Sequence, residues 1–209
     1  VMSFVRWVMV NKFEMDNPSP EPVLPDLPAA VPAGELVGYP EMKTWDMALA
    51  GSPHTFGDYA VGEKINHVDG MTVEEAEHQI ATRLYQNTAK VHFDAHGQKD
   101  SRFGKRLIYG GVVISIARSL AFNGLANAGQ MLAINAGSHV SPLFAGDTIY
   151  AWSEVLDKAE LSDACGALRL RLVAVKDQDP GAFAYKDAAG KYAAGVLLDF
   201  DYWAAIPKR

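Results

Sequence analysis

Apolar and polar positions alternate most regularly toward the end of the chain. Leu168, Leu170, Leu172 and Ala174 share one face of a period of two, and Arg169 and Arg171 take the other. Val196, Leu198, Phe200 and Tyr202 oppose Asp199 and Asp201 in the same way. That period predicts strands over 166–176 and 195–205, antiparallel and with one face in water. Weaker versions of it predict strands over 131–140 and 147–156, and an earlier one over 63–71 after a turn at 59–62. Between them the spacing lengthens. Val112, Val113, Ile116, Leu120 and Ala121 recur at helical intervals and predict a helix over 110–124, closed by Asn123-Gly124. This helix is apolar nearly all round, so it needs cover on every side. Thr72-x-x-Glu75 reads as a capping box that opens a shorter helix through about Leu84. Strand, helix, charged loop, apolar helix and four strands, in that order, predict an α+β fold with an antiparallel sheet wrapped around a long buried helix.

The first quarter of the chain follows different rules. Residues 1–12 are rich in β-branched and aromatic side chains and read as a strand. Six of the eleven prolines then fall between Pro18 and Pro32. Each fixes φ and removes a donor, so the segment is expected to be extended and semi-rigid. An isolated strand followed by such a tether predicts three parts: residues 1–12 as the last strand of a preceding domain, 13–57 as a proline-rich linker, and 58–209 as the main domain. The alternative is a strand that joins the main sheet across a long tether. The chain opens on Val rather than Met, which fits a piece of a longer protein.

Composition narrows the function. Nineteen basic against twenty-five acidic residues give a net charge of −6, and the pI is about 5.5. This balance argues against nucleic acid and against an anionic membrane surface as partners. No apolar run approaches the roughly 20 residues of a bilayer span. A lone Cys165 excludes an internal disulfide framework, and a cytoplasmic setting is expected. No glycine-rich phosphate-binding motif is present. His92-x-x-x-His96 with Asp94 falls short of a zinc set, and no metal is expected.

Three clusters carry chemistry: Tyr85-Gln86-Asn87-Thr88-Ala89-Lys90-Val91-His92 after the first helix, Tyr109-Gly110-Gly111 at the start of the buried one, and Ser141-Pro142-Leu143-Phe144-Ala145-Gly146-Asp147-Thr148 between two strands. Together they resemble the MaoC-like hot-dog hydratases, which add water to enoyl-CoA thioesters. The wording of His67-Val68-Asp69-Gly70, of Phe103-Gly104, and of the runs 83–89, 121–127 and 145–154 is similar to the branch of that family acting on mesaconyl-CoA. The resemblance covers nearly the whole chain and implies a hot-dog fold, one half of a double hot-dog, with an acyl-CoA substrate, no cofactor beyond it, and a second hot-dog fold or homo-oligomer as partner.

By the resemblance, His92 takes the place of the catalytic histidine and Asn87 that of an acidic residue. Lys90 stands in place of a proline, and Gly110 in place of a histidine. Gly111 matches the helix-opening glycine, whose N–H would receive the charge of the thioester oxygen. Asn cannot titrate. Either His92 carries both proton transfers, or a carboxylate helps, with Asp94 and Glu77 as candidates. Tyr109 and Gly110 are placed against substrate. A mesaconyl group adds a carboxylate, for which Arg83 is the first cation and Lys90 the second, with Arg118 also near; Arg83 lies four residues before Asn87, the spacing of one helix face. Phe103-Gly104-Lys105-Arg106 reads as a CoA-phosphate contact or a solvated loop. Two further readings remain open: a hydratase for another branched or dicarboxylic enoyl-CoA, and a non-catalytic acyl-CoA-binding half.

Overall fold

The structure is a computed structural model describing residues 4–6, 16, 18, 21, 23 and 25–208. The strand expected over 1–12 therefore lies outside the described residues except at 4–6, which belong to no strand. Residues 25–58 hold short local structure of their own. They carry a short helix α1 (Met47–Ala50), capped by Asp46, whose carboxylate accepts the Ala48 and Leu49 N–H groups, both at 2.9 Å.

The main body is one five-stranded antiparallel sheet in the order β1-β3-β4-β5-β2. Its elements run β1 (Lys64–Thr72), α2 (Glu75–Leu84), α3 (Lys90–Phe93), α4 (Gly110–Leu120), α5 (Phe122–Leu125), β2 (Gln130–His139), β3 (Thr148–Glu160), β4 (Cys165–Lys176) and β5 (Val196–Pro207). The helix α4 packs on β1, β3, β4 and β5. Its Val112, Val113, Ile116, Ala117 and Leu120 are buried against Ile149, Leu168, Leu170, Leu172, Leu198 and Phe200. Each Val, Ile and Leu among the buried α4 residues contributes roughly 1.5–3 kcal/mol on burial, which fixes the helix on the sheet far more firmly than helix propensity could. The expected helix 110–124 is interrupted: Asn123 and Gly124 leave helical geometry, so α4 ends at Leu120 and α5 is a separate turn.

Two expectations are corrected here. Thr72 does not open α2. The N-cap is Glu74, with no side-chain cap bond, and the Thr72 hydroxyl meets Thr148 Oγ1 across β1 and β3 at 2.8 Å. The outer face of the sheet is not simply wet. Trp152, Val173, Val175 and Val196 are buried beneath Phe183, Tyr185 and Tyr192. Ala167 and Trp203 lie under Val31 and Leu36, and Cys165 and Ala205 under Met42. The proline-rich strap is stitched down by the Trp203 indole donating to Val31 O at 3.0 Å and the Trp45 indole donating to Asn127 Oδ1 at 2.9 Å. The arginines survive on this covered face because each has a carboxylate: Arg169 grips Asp201 through two bonds of 3.0 and 2.6 Å, and Arg171 donates to Glu154 at 2.9 Å.

One strand carries visible strain. The pairing of β1 with β3 slips between Asn66 and Gly70, and Val68 sits there at φ 65°. A β-branched residue is disfavoured in that left-handed region, while Asn is tolerated. Val68 is exposed, so little packing is lost on replacement. Val68→Asn is expected to raise unfolding stability by about 1 kcal/mol, read as a higher denaturant midpoint at unchanged slope. A lower midpoint would refute the strain assignment.

Candidate active site at the start of the buried helix

The first turn of α4 is where the chemistry-bearing residues meet. Tyr109 is the N-cap, and its N–H donates to His78 Nε2 at 2.9 Å. Gly110 and Gly111 follow. As the first residues of a helix they have no intrahelical acceptor, and among the described residues neither N–H has another. Both glycines are required by close approach. A Cβ on Gly110 would stand 2.5 Å from His139 Nε2, and one on Gly111 would stand 2.7 Å from the Tyr109 ring. The backbone is thus bare where the helix dipole leaves partial positive charge.

His92 reaches this turn from α3. Leu107 O accepts a bond from its Nδ1 at 3.0 Å, which assigns the proton to Nδ1 and leaves Nε2 available. The Leu107 N–H in turn donates to Val91 O at 3.0 Å, so the loop and α3 hold each other. The His92 ring lies 5.6 Å from the Tyr109 ring and 6.4 Å from the His78 ring, centroid to centroid.

His78 and His139 are the residues that sequence reasoning missed. His78 is buried on the inner face of α2, four residues before the buried Thr82. Burial, and then the neighbouring His92, push its imidazole below the ordinary range. With Nε2 accepting from Tyr109, His78 fixes where the helix begins. His139 closes β2, opposite Leu198 of the inner core. Partial burial, and then His92, push it down as well. The only sequence signal for His78 was its i,i+4 relation to Thr82; His139 had none beyond lying at the end of an expected strand.

The other candidates are placed differently from expectation. α2 ends at Leu84, Gln86 takes a left-handed φ of 51°, and the Gln86 and Asn87 N–H groups close the helix on Arg83 O and Thr82 O at 3.1 and 2.9 Å. Asn87 is therefore outside the helix, and Arg83 does not share a helix face with it. The Asn87 Oδ1 accepts the Ala89 N–H at 2.9 Å and shapes the turn into α3. Arg83 and Lys90 are exposed, and neither pairs with an acidic group among the described residues. Arg118 is engaged structurally, donating to the Tyr202 hydroxyl at 2.7 Å and to Gly129 O at 3.0 Å. Asp94 turns into its own loop, where Oδ1 accepts the Gly97 N–H at 2.9 Å. Glu77 is exposed, one position from the inward-facing His78. Arg106 is bound by Glu75 and Gln79, while Lys105 and Phe103 pack on Phe144. Among the described residues no group of three or more His, Cys, Asp or Glu is arranged to hold a metal ion. No helix among them is long and apolar enough to cross a membrane.

No protein-family model matches the chain. It is 59% identical over 212 residues to mesaconyl-CoA hydratase of Cereibacter sphaeroides, a match covering all of this chain and 60% of that protein. It is 54% identical over 213 residues to β-methylmalyl-CoA dehydratase of Chloroflexus aurantiacus, again covering the whole chain and 60% of the relative. The chain thus spans about 60% of the length of the curated relatives it matches. The crystal structure of a MaoC domain protein dehydratase from Chloroflexus aurantiacus superposes with a TM-score of 0.89 at 53% identity, covering 96% of this chain and 58% of that one. A Mycobacterium tuberculosis protein with a double hot-dog fold shares the fold alone, at a TM-score of 0.51 and 23% identity over 78% of this chain and 44% of its own. Over its whole length the chain is a homologue of mesaconyl-CoA hydratase and β-methylmalyl-CoA dehydratase, built on the hot-dog fold of the MaoC-like dehydratases.

Proposed function

We propose that this chain belongs to a hydro-lyase that reversibly hydrates an enoyl-CoA thioester, mesaconyl-CoA to β-methylmalyl-CoA. The observation that carries the reading is the His92 ring, with Nε2 unused, 5.6 Å from the ring of Tyr109, the N-cap of α4, whose next two N–H groups are unbonded among the described residues. Hydration of an α,β-unsaturated thioester needs a base for the water that attacks C3 and an acid for C2. It also needs donors on the thioester oxygen, where enolate charge grows. His92 suits proton transfer. The Gly111 N–H, aligned with the helix dipole, suits the oxygen. The close likeness to two relatives of that activity supports the substrate. No step in this chemistry calls for a cofactor beyond the CoA that the substrate carries.

The partner in this reading is a second hot-dog fold. Among the described residues β2 pairs with β5 alone, so its other edge is unpaired there, and Ile134 on it is half exposed. The site at the end of that edge would then be completed by the neighbouring fold, in one chain or between two. The extra carboxylate of mesaconyl-CoA would be met by Arg83, exposed in the last turn of α2, or by Lys90, exposed at the start of α3.

The test is turnover of mesaconyl-CoA, followed by loss of the enoyl-thioester absorbance, beside crotonyl-CoA, which has no carboxylate. Mesaconyl-CoA is expected to be preferred. Arg83→Met or Lys90→Met is expected to raise KM for mesaconyl-CoA by about 10- to 150-fold, the worth of a charge-assisted contact, and to spare crotonyl-CoA. Turnover of crotonyl-CoA alone would move the substrate to another enoyl-CoA. Tight acyl-CoA binding without turnover would make this a binding half.

A further inference from the structure

The hydratase reading leaves a gap in the chemistry. Two protons move, yet Asn87 has no proton to give and Asp94 faces its own loop. We infer that His139 is the second proton-transfer group of this site, working with His92 at the first turn of α4. The inference rests on the hydratase reading.

Register puts the imidazole there. His139 is paired directly with Leu198 across β2 and β5, and directly opposed residues share a face of the sheet. Leu198 belongs to the inner core, so His139 points toward α4. The next pair along, Ser138 and Asp199, belongs to the outer face, where Asp199 is held by Tyr185, Tyr192 and Lys186. The ring lies so close to Gly110 that any Cβ there would collide with Nε2 and Cε1, at 2.5 and 2.6 Å. A glycine at the first helix position thus leaves the space that the imidazole fills.

The three histidines around this turn are not equivalent. His78 is buried and bonded to the Tyr109 N–H, so it is structural. His92 is anchored through one nitrogen and offers the other. His139 has no bonding partner on either ring nitrogen among the described residues, and part of the ring remains exposed. Its neighbours at this turn include the bare Gly110 backbone of α4 and, through its charge, His92 of α3. Neither supplies a carboxylate. Burial, and then the His92 charge, oppose protonation of His139, which favours its neutral, proton-accepting form.

This arrangement balances the reaction. Neutral His139 takes a proton from water as the water oxygen bonds to C3. The C2–C3 π pair moves toward the thioester carbonyl, whose oxygen is met by the Gly111 N–H. The resulting enolate collapses as its C2 takes the proton from the His92 imidazolium. Water has then been added across the double bond. His139 is left protonated and His92 neutral, and one proton passed between them through solvent restores the start.

The experiment uses the full chain with His139→Gln, His92→Gln and Gly110→Ala. Histidine-ring NMR is followed against pH, beside kcat against pH for mesaconyl-CoA and crotonyl-CoA. His139→Gln is expected to lower kcat about 100-fold or more, to leave KM and the melting temperature nearly unchanged, and to erase one limb of the pH profile. His92→Gln is expected to move the His139 titration upward. Gly110→Ala keeps both imidazoles but displaces one, and is expected to lower kcat as well. Wild-type kcat with both limbs intact in His139→Gln overturns the inference, and so does a His139 titration indifferent to His92→Gln. A wild-type protein that hydrates neither thioester instead removes the hydratase reading itself, and with it this role.

Discussion

Replacing His92 by glutamine is expected to lower kcat for enoyl-CoA hydration by about 100-fold or more, the usual scale for a positioned acid–base group. That factor corresponds to about 2.7 kcal/mol of transition-state stabilisation. Glutamine can still donate to Leu107 O, the acceptor that orients His92 at 3.0 Å, so the fold around α3 should hold. What glutamine cannot do is carry a proton. KM should change little, because the CoA moiety supplies most of the binding and does not depend on the proton state of residue 92. The measurement is steady-state kinetics in both directions, hydration and dehydration. Microscopic reversibility requires the same residue to serve both, so the loss should be equal. A variant that kept wild-type turnover would move the proton transfer to another part of the protein. A loss seen only as a raised KM would make His92 a binding group.

The parts of this molecule that were legible in the sequence share a local cause. Leu168 to Ala174 and Leu198 to Tyr202 alternate because both strands pack one face on a helix, and alternation is a property of neighbouring residues. Val196, expected on that face, lies on the other with Trp152 because the β4–β5 register shifts between Ala174 and Val175. The apolar run of α4 was equally visible, since Val112, Val113, Ile116 and Leu120 share one helical stripe. What stayed hidden depends on contacts distant along the chain. The outer face of β4 and β5 looked wet because the strap at Val31, Leu36 and Met42 is far from Trp203 and Cys165 in sequence. Thr72 looked like a cap because the pattern of a capping box says nothing of Thr148 across the sheet. Arg83 and Asn87 looked like helix neighbours because spacing alone could not show that Gln86 turns left-handed between them.

The site divides in the same way. His92 and the glycine pair stood out in the sequence as candidates because they form short motifs. His78 and His139 were not, because each arrives from an element that meets α4 only in three dimensions. A glycine at position 110 read in sequence as the loss of a side chain. In the structure it is the space for a side chain from β2. Lone histidines on expected elements therefore carry little signal until the register of the sheet is known. Here that register is fixed by pairs such as His139 with Leu198 and Leu170 with Tyr202.

Acid should destabilise this protein by a route that can be traced to His67. The side chain is fully buried on β1, with Nδ1 donating to Asn123 O at 2.6 Å and Nε2 accepting from the Ser153 hydroxyl at 2.8 Å. What disfavours the charged form is burial, not a lost bond, since the Ser153 hydroxyl can donate or accept. Burial, with a smaller push from the Arg118 charge and against the pull of Asn123 O, brings its pKa down from 6.5 to about 4. In the unfolded chain the same group titrates near its ordinary value of about 6.5. Between those two values the unfolded state binds more protons than the folded one, so stability falls as pH falls. The contribution is fully present above about 6.5 and is lost on the way down to about 4, amounting to about 3 kcal/mol. His78, also held below its ordinary range, acts in the same direction. Denaturant unfolding at about pH 7.5 and about pH 4.5 should show the loss, and His67→Gln should remove most of it while costing stability at the higher pH. An equal pH dependence in wild type and variant would show that His67 is not the group acid attacks.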